Sequence, residues 1–314
     1  YSTKKSCKTL FIYDGRISMI TLTKQPFFST HLEKVDQKIT QSLLELGEKT
    51  KLRDACEYAL MSGGKRFRPL IVLLVAEALN NQLDVLDAAL AVEFFHTASL
   101  IVDDLPCMDD DDQRRDKPST HKIYGESIAL LASYSLMIAG FGKIHQNAEV
   151  IKKSSSPFSA SSDVICTLTL SIATQCSGIL GATGGQFFDL FPPDDSLKTA
   201  RKIISQKTGT LFEIAFAFGW LFGGGNIKQL GLIKKLAHHF GFAFQIADDL
   251  HDIKQDAQED LKLSIAYMLG SEKALEYFQN ELSSCCECLK KLALFTPSFE
   301  KIIDMLSQYA RFEK

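Results

Sequence analysis

The stretch DDLPCMDDDDQRR, Asp103 to Arg115, sets six carboxylates and two guanidinium groups within thirteen residues, directly after the apolar run EFFHTASLIV. On an ideal helix Asp103 and Asp109 would point about 120° apart, so one continuous helix would not converge them. Pro106 removes that obstacle, because it breaks the helix and lets the chain curl back. The carboxylates of Asp103, Asp104 and Asp109 could then surround a common point at the helix end. A second acidic group, FQIADDLHD, lies about 145 residues downstream and also closes an apolar run. There Asp248 and Asp252 are four apart and share a helical face, with Asp249 beside them.

Carboxylate ligation without His or Cys suits Mg²⁺ bridging to phosphate better than zinc. No Asp-started loop carries Gly at its sixth position and Glu at its twelfth, which excludes an EF-hand. One acidic run alone is ordinarily a solvated helix end. Two of them, each behind a hydrophobic wall, point to facing sides of one cavity. Cations to match occur in small separate groups: Lys65, Arg66 and Arg68 in GGKRFRP, Arg114 and Arg115 after the first acidic run, and Lys207 beside Thr208. That distribution fits diphosphate recognition better than a nucleic-acid stripe. No Ser/His/Asp or Cys/His arrangement supplies a protein nucleophile.

The elements that must position these residues read as helices throughout. From His31 onward apolar residues recur at three- and four-residue steps, with almost no alternation at period two. Breaks fall at Ser62-Gly63-Gly64, Asn80-Asn81, Lys152 to Ser162, Pro192 to Asp195 and Gly223 to Gly225. Asp195 or Ser196 is the expected N-cap of a helix running through Leu211. The chain has 314 residues, 46% hydrophobic and 23% charged, and neither a composition shift nor an internal repeat divides it. The expectation is one all-α domain over 19–314, a large helical bundle, with 1–18 an extension outside the fold.

Several partner classes are disfavoured on the same grounds. A formal net charge of −3 offers no field for a nucleic-acid backbone. The uncharged runs Ser127 to Gly142 and Val164 to Gln186 are rich in Ser, Thr, Gly and Gln, and so read as inner helices rather than membrane spans. Eight scattered cysteines lack disulfide-scaffold spacing, and CCEC at 285–288 has no second ligand pair, so a reducing cytoplasm is expected. The alternative is an organelle such as a plastid, if YSTKKSCKTLFIYDGRIS is a transit segment.

In chain order, GGKRFRP, FFHTASLIVDDLPCMDDDDQRRDKPSTHKIYGE, GGQFFDLF, KTGTLFEIA and FQIADDLHD resemble the trans-type short-chain prenyl diphosphate synthases, over roughly Leu43 to Leu282. The resemblance implies the isoprenoid-synthase bundle around a central apolar cavity, usually as a homodimer. It implies head-to-tail condensation of isopentenyl diphosphate with the allylic dimethylallyl, geranyl or farnesyl diphosphates. Lys65, Arg68, His96 and Arg115 would hold the isopentenyl diphosphate. Asp103, Asp104 and Asp109, with Asp248 and Asp252, would bind about three Mg²⁺ ions on the allylic diphosphate, aided by Arg114 and Lys207. Thr208 and Gln245 would turn oxygens toward the allylic cation.

Product length should depend on the helical turns above Asp103, since a turn of about 5.4 Å nearly matches one isoprene unit. Bacterial farnesyl diphosphate synthases of this type carry an aromatic residue five positions before the first Asp. This chain has Ala98 there, followed by Ser99, which leaves Phe95 as the next floor and predicts geranylgeranyl diphosphate (C20) over farnesyl diphosphate (C15). The chain departs from the family in two places: Ser133 to Met137 replaces GDALL, and the segment after Asp252 lacks the usual GK, with Lys254 or Lys262 as substitutes. A terpene cyclase would need no second diphosphate site. A catalytically silent partner subunit would have lost an acidic motif, and both are present.

Overall fold

The structure is a computed structural model that describes residues 26–259 and 263–311, with the backbone alone for Pro26 and 252–259. Among the described residues the α-helices are α1 (Ser29–Ser42), α2 (Lys51–Met61), α3 (Phe67–Leu79), α4 (Leu86–Asp103), α5 (Thr120–Tyr124), α6 (Glu126–Lys153), α7 (Ser162–Ser177), α8 (Ala182–Leu190) and α9 (Leu197–Ile203). A π-helical segment, Ile204–Gly209, joins α9 to α10 (Thr210–Phe222); α11 (Leu230–Glu259), α12 (Ile265–Leu269), α13 (Ser271–Lys291) and α14 (Pro297–Tyr309) follow. The all-α expectation therefore holds, apart from one antiparallel pair of two-residue strands, β1 (Gln113–Arg114) and β2 (Lys117–Pro118).

The helix at the centre is α4, which is buried nearly all round. One side joins Leu90, Phe94 and Ala98 to Ile39, Leu60 and Leu136. The other joins Val92 and Phe95 to the larger core built on α10 and α11. A helix apolar on every face has to be surrounded, and it fixes where its C-terminal Asp103 can stand. Rings lace the larger core: Phe212 stands 5.1 Å from Phe240 and 5.0 Å from Phe244, and Phe67 stands 5.6 Å from Phe244. Such pairs each add about 0.5–1.5 kcal/mol beyond the area they bury.

Of two local expectations one holds, with Ser196 rather than Asp195 as the cap, and one changes. Ser196 is the N-cap of α9, its hydroxyl accepting from the Thr199 amide at 3.2 Å, with Asp194 rather than Asp195 accepting from the Ser196 amide at 3.0 Å. The helix also does not simply run through Leu211: it widens into the π segment and then continues to Phe222. The described cysteines are all free. Cys285 is fully buried and its thiol is pushed well above the ordinary range by that burial, in keeping with a helix seam rather than a metal site.

Glu126–Lys153 and Ser159–Leu190 are apolar and long enough to cross a membrane by length and composition. The second is not one helix, because the chain breaks between Ser177 and Ala182. Both leave apolar side chains outside, Ile138 at 70% and Ile179 at 82% exposure.

Candidate active site

The chain curls back after α4 as its proline requires. The Asp109 amide donates to the Asp103 carbonyl at 2.9 Å, and the Met108 and Asp110 amides donate to the Leu105 carbonyl at 2.8 and 3.1 Å. Asp103 and Asp109 thus share one end of the helix and interact electrostatically. Burial raises the Asp103 carboxyl to about 6, the Asp109 charge pushes it the same way, and Lys207 opposes them. Burial also raises Asp109, as do the nearby charges of Asp189 and Asp111. Carboxylates crowded in this way call for a cation.

Asp104 does not join them. It is 3% exposed and accepts from Arg114 Nε at 2.7 Å and from Arg114 Nη2, and Arg114 also reaches Asp111 at 3.0 Å. Successive residues at a helix end diverge by about 100°, and a buried carboxylate without a partner is costly, so Asp104 takes the guanidinium on the far side. The β1–β2 hairpin delivers it. Arg115 and Asp116, at its tip, have φ of 56° and 62°, the left-handed pair that a two-residue hairpin needs. Arg114 turns to Asp104, and Arg115 turns the other way and donates to the Gly63 carbonyl.

The three-carboxylate point read from the sequence is therefore not formed: among the described residues no three Asp, Glu, His or Cys side chains gather closely enough to hold a metal ion. An ion at Asp103 and Asp109 would take its remaining oxygens from a diphosphate, which suits Mg²⁺, an ion that keeps few protein ligands.

Lys207 and Thr208 lie in the π segment, a rare widening that marks functional turns. The α8 backbone presses on it: a Cβ at Gly185 would stand 2.3 Å from the Lys207 amide nitrogen. Lys207 Nζ is held by Asp189 at 2.6 Å. Burial pulls its pKa down, but Asp189, Asp103 and Asp109 together carry it above the ordinary value, so it stays charged. Thr208 Oγ1 donates to Gln245 Oε1 at 2.9 Å, and Gln245 Nε2 donates to Asp249 Oδ1 at 3.0 Å. Asp249 Oδ2 in turn accepts the Ile265 amide at 2.8 Å. This chain ties the π segment to the second acidic motif. Asp248 is half-buried on α11, and its charge acts on Arg68. The side chains of Asp252, Lys254 and Lys262 lie outside the described residues.

A second polar group forms around α3 and α4. Arg68 Nη1 stands 3.4 Å from His96 Nε2, and the Arg68 guanidinium lies 4.7 Å from the Phe212 ring centroid. Burial lowers Arg68 to about 10, still charged, and holds His96 well below its ordinary value, with Arg68 and Arg115 adding to the effect. His96 is therefore neutral near pH 7. Arg68 Nε and His96 Nδ1 are buried with no protein partner. Lys65 sits over Tyr309 at 6.0 Å, and Tyr309 stacks on His251 at 4.4 Å, which brings the end of α14 to this group. Arg66, from the same turn, is structural: it binds Glu93 at 2.6 Å and the Leu60 carbonyl at 2.6 Å.

Below Asp103 and Lys207 opens a cavity of about 470 Å³ between α4, α6 and α8, lined by Phe95, Ala98, Ser99, Met137 and Phe187 among others. Gln186 is buried at its wall with both amide atoms unpartnered in the protein, so only a bound polar group can satisfy it. Sequence reasoning did not single out Gln186, Asp189, Asp249 or Tyr309. The motif GGQFFDLF carried the first two and FQIADDLHD carried Asp249 without giving it a role, while nothing local distinguished Tyr309.

A family model described as Polyprenyl synthetase matches residues 49–265. The chloroplastic geranylgeranyl pyrophosphate synthase of Capsicum annuum is 35% identical over 273 residues, 81% of this chain and 71% of that protein. Geranylgeranyl pyrophosphate synthase 10, mitochondrial, of Arabidopsis thaliana is 36% identical over 72% of this chain and 68% of its own length. Among solved structures, an FPP/GFPP synthase from Zymomonas mobilis superposes with a TM-score of 0.71 at 29% identity, over 94% of this chain and 99% of that one. A geranyltransferase from Legionella pneumophila gives 0.77 at 26% identity, over 93% and 98%. The bundle, its two acidic motifs and these matches have one meaning: the chain belongs to the polyprenyl synthetase family.

Proposed function

We propose that this chain is a Mg²⁺-dependent prenyltransferase that condenses isopentenyl diphosphate with dimethylallyl, geranyl and farnesyl diphosphates to give geranylgeranyl diphosphate. The observation that carries the reading is the cavity of about 470 Å³, largely apolar, with Asp103 and Lys207 on its lining. A diphosphate held at that mouth directs its hydrocarbon tail inward. About three Mg²⁺ ions, when bound between the carboxylates and the diphosphate, neutralise charge on the leaving group. Lys207, kept charged by Asp189, adds to that neutralisation. The Thr208 hydroxyl and Gln245 carbonyl oxygens face developing positive charge. Lys65, Arg68, His96 and Arg115 hold the second diphosphate, and neutral His96 does so as a hydrogen-bond donor.

Along α4, Ala98 stands about 7.5 Å and Phe95 about 12 Å from Asp103 by helical rise. The difference is close to one isoprene unit, which favours C20 over C15. The exposed apolar band of α6 and α7 supports a homodimer, with Leu131, Tyr134 and Ile138 on one helical face. Free cysteines support a reducing compartment, cytosolic or organellar. The test is incubation of the purified protein with Mg²⁺, isopentenyl diphosphate and each allylic primer, with products sized by chromatography. We expect C20; intact isopentenyl diphosphate with every primer would instead mark a silent subunit.

A further inference from the structure

The floor of the cavity depends on a residue from the neighbouring helix. The Phe95 ring is 1% exposed and meets Phe141 edge-on at 5.0 Å. Its other support is the bare backbone of Gly140, buried in α6. A Cβ there would stand 2.6 Å from Phe95 Cε1, 2.8 Å from Cδ1 and 3.1 Å from Cζ. We propose that Gly140 is a positioning residue for product length: by lacking a side chain it lets the Phe95 ring sit back against α6, and so sets the depth of the elongation cavity. A methyl group at 140 moves the ring by roughly an ångström, since cores transmit added volume rather than absorb it. Phe141 and the packed core stand behind the ring, and the cavity is the open side it lines. The ring therefore moves into the path of the growing chain. This rests on the elongation reading of the cavity given above.

The test compares the products of Gly140→Ala, Phe95→Leu, the double variant and Ala98→Tyr with those of the wild type. Gly140→Ala is expected to shift the major product from C20 toward C15. In the Phe95→Leu background, where no ring meets the methyl, the same substitution should leave the distribution as it is in Phe95→Leu alone. Unchanged products for Gly140→Ala, while Ala98→Tyr shortens them, would overturn the Gly140 assignment and leave the cavity reading intact. Unchanged products in both would overturn both. An equal shortening by Gly140→Ala with and without the ring would also overturn it, because the effect would then bypass Phe95. If Gly140→Ala alone does not fold, the double variant against Phe95→Leu still decides: a shortened product there refutes the assignment.

Discussion

Asp103 carries its charge at a cost in stability. Burial and Asp109 raise its folded-state carboxyl from 3.8 to about 6. The folded chain thus holds a proton that the unfolded chain releases, so this contribution to stability is present below about pH 4 and is lost as pH rises to about 6. Above that, the charge is carried at a cost. Asp103→Asn should therefore raise the melting temperature of the ligand-free protein by a few degrees at about pH 7.5 and by nothing at about pH 4. Turnover should fall by roughly 100-fold or more. Calorimetry at the two pH values checks the first claim, and added Mg²⁺ with pyrophosphate should stabilise the wild type but not the variant. Asp189→Ala should act through Lys207: about a tenfold loss in kcat/KM for the allylic diphosphate, with KM for isopentenyl diphosphate unchanged, measured by varying each substrate in turn.

The π segment and α11 form the next level, joined by Thr208, Gln245 and Asp249. Asp249→Ala leaves the buried Ile265 amide without its acceptor, which costs about 1–3 kcal/mol, and frees Gln245 to rotate. Denaturant unfolding should report the first effect and a lower kcat the second, with Asp249→Asn recovering part of both. At this scale the sequence was legible where the signal was local. The period of apolar residues marked the helices, Pro106 marked the turn that joins the Asp109 amide to the Asp103 carbonyl, and KTGT marked Lys207 and Thr208. It was opaque where a partner came from far along the chain. Nothing near Asp104 says that Arg114 will claim it, because that depends on a hairpin whose tip, Arg115-Asp116, lacks the Asn-Gly or Asp-Gly signal for its left-handed turn. Likewise the π widening follows from packing of α8 and α11 rather than from the composition of 204–209.

At the scale of the whole molecule, the described residues present an apolar outer face on α6 that the core does not cover. Ile138→Glu places a charge in the exposed band of α6 and should convert a dimer to monomers in sedimentation equilibrium, with helix content unchanged by circular dichroism. An unchanged mass would remove that face from the interface. On the proposed reading the bundle holds two diphosphates beside one largely apolar cavity, and the central claim is that carbon is joined there. The most direct measurement is pyrophosphate release against isopentenyl diphosphate consumed, with dimethylallyl diphosphate as primer and Mg²⁺ present. The account predicts one pyrophosphate for each isopentenyl diphosphate consumed, a C20 product, and loss of both on chelation. Isopentenyl diphosphate that remains intact, or pyrophosphate released with no longer chain formed, would contradict it.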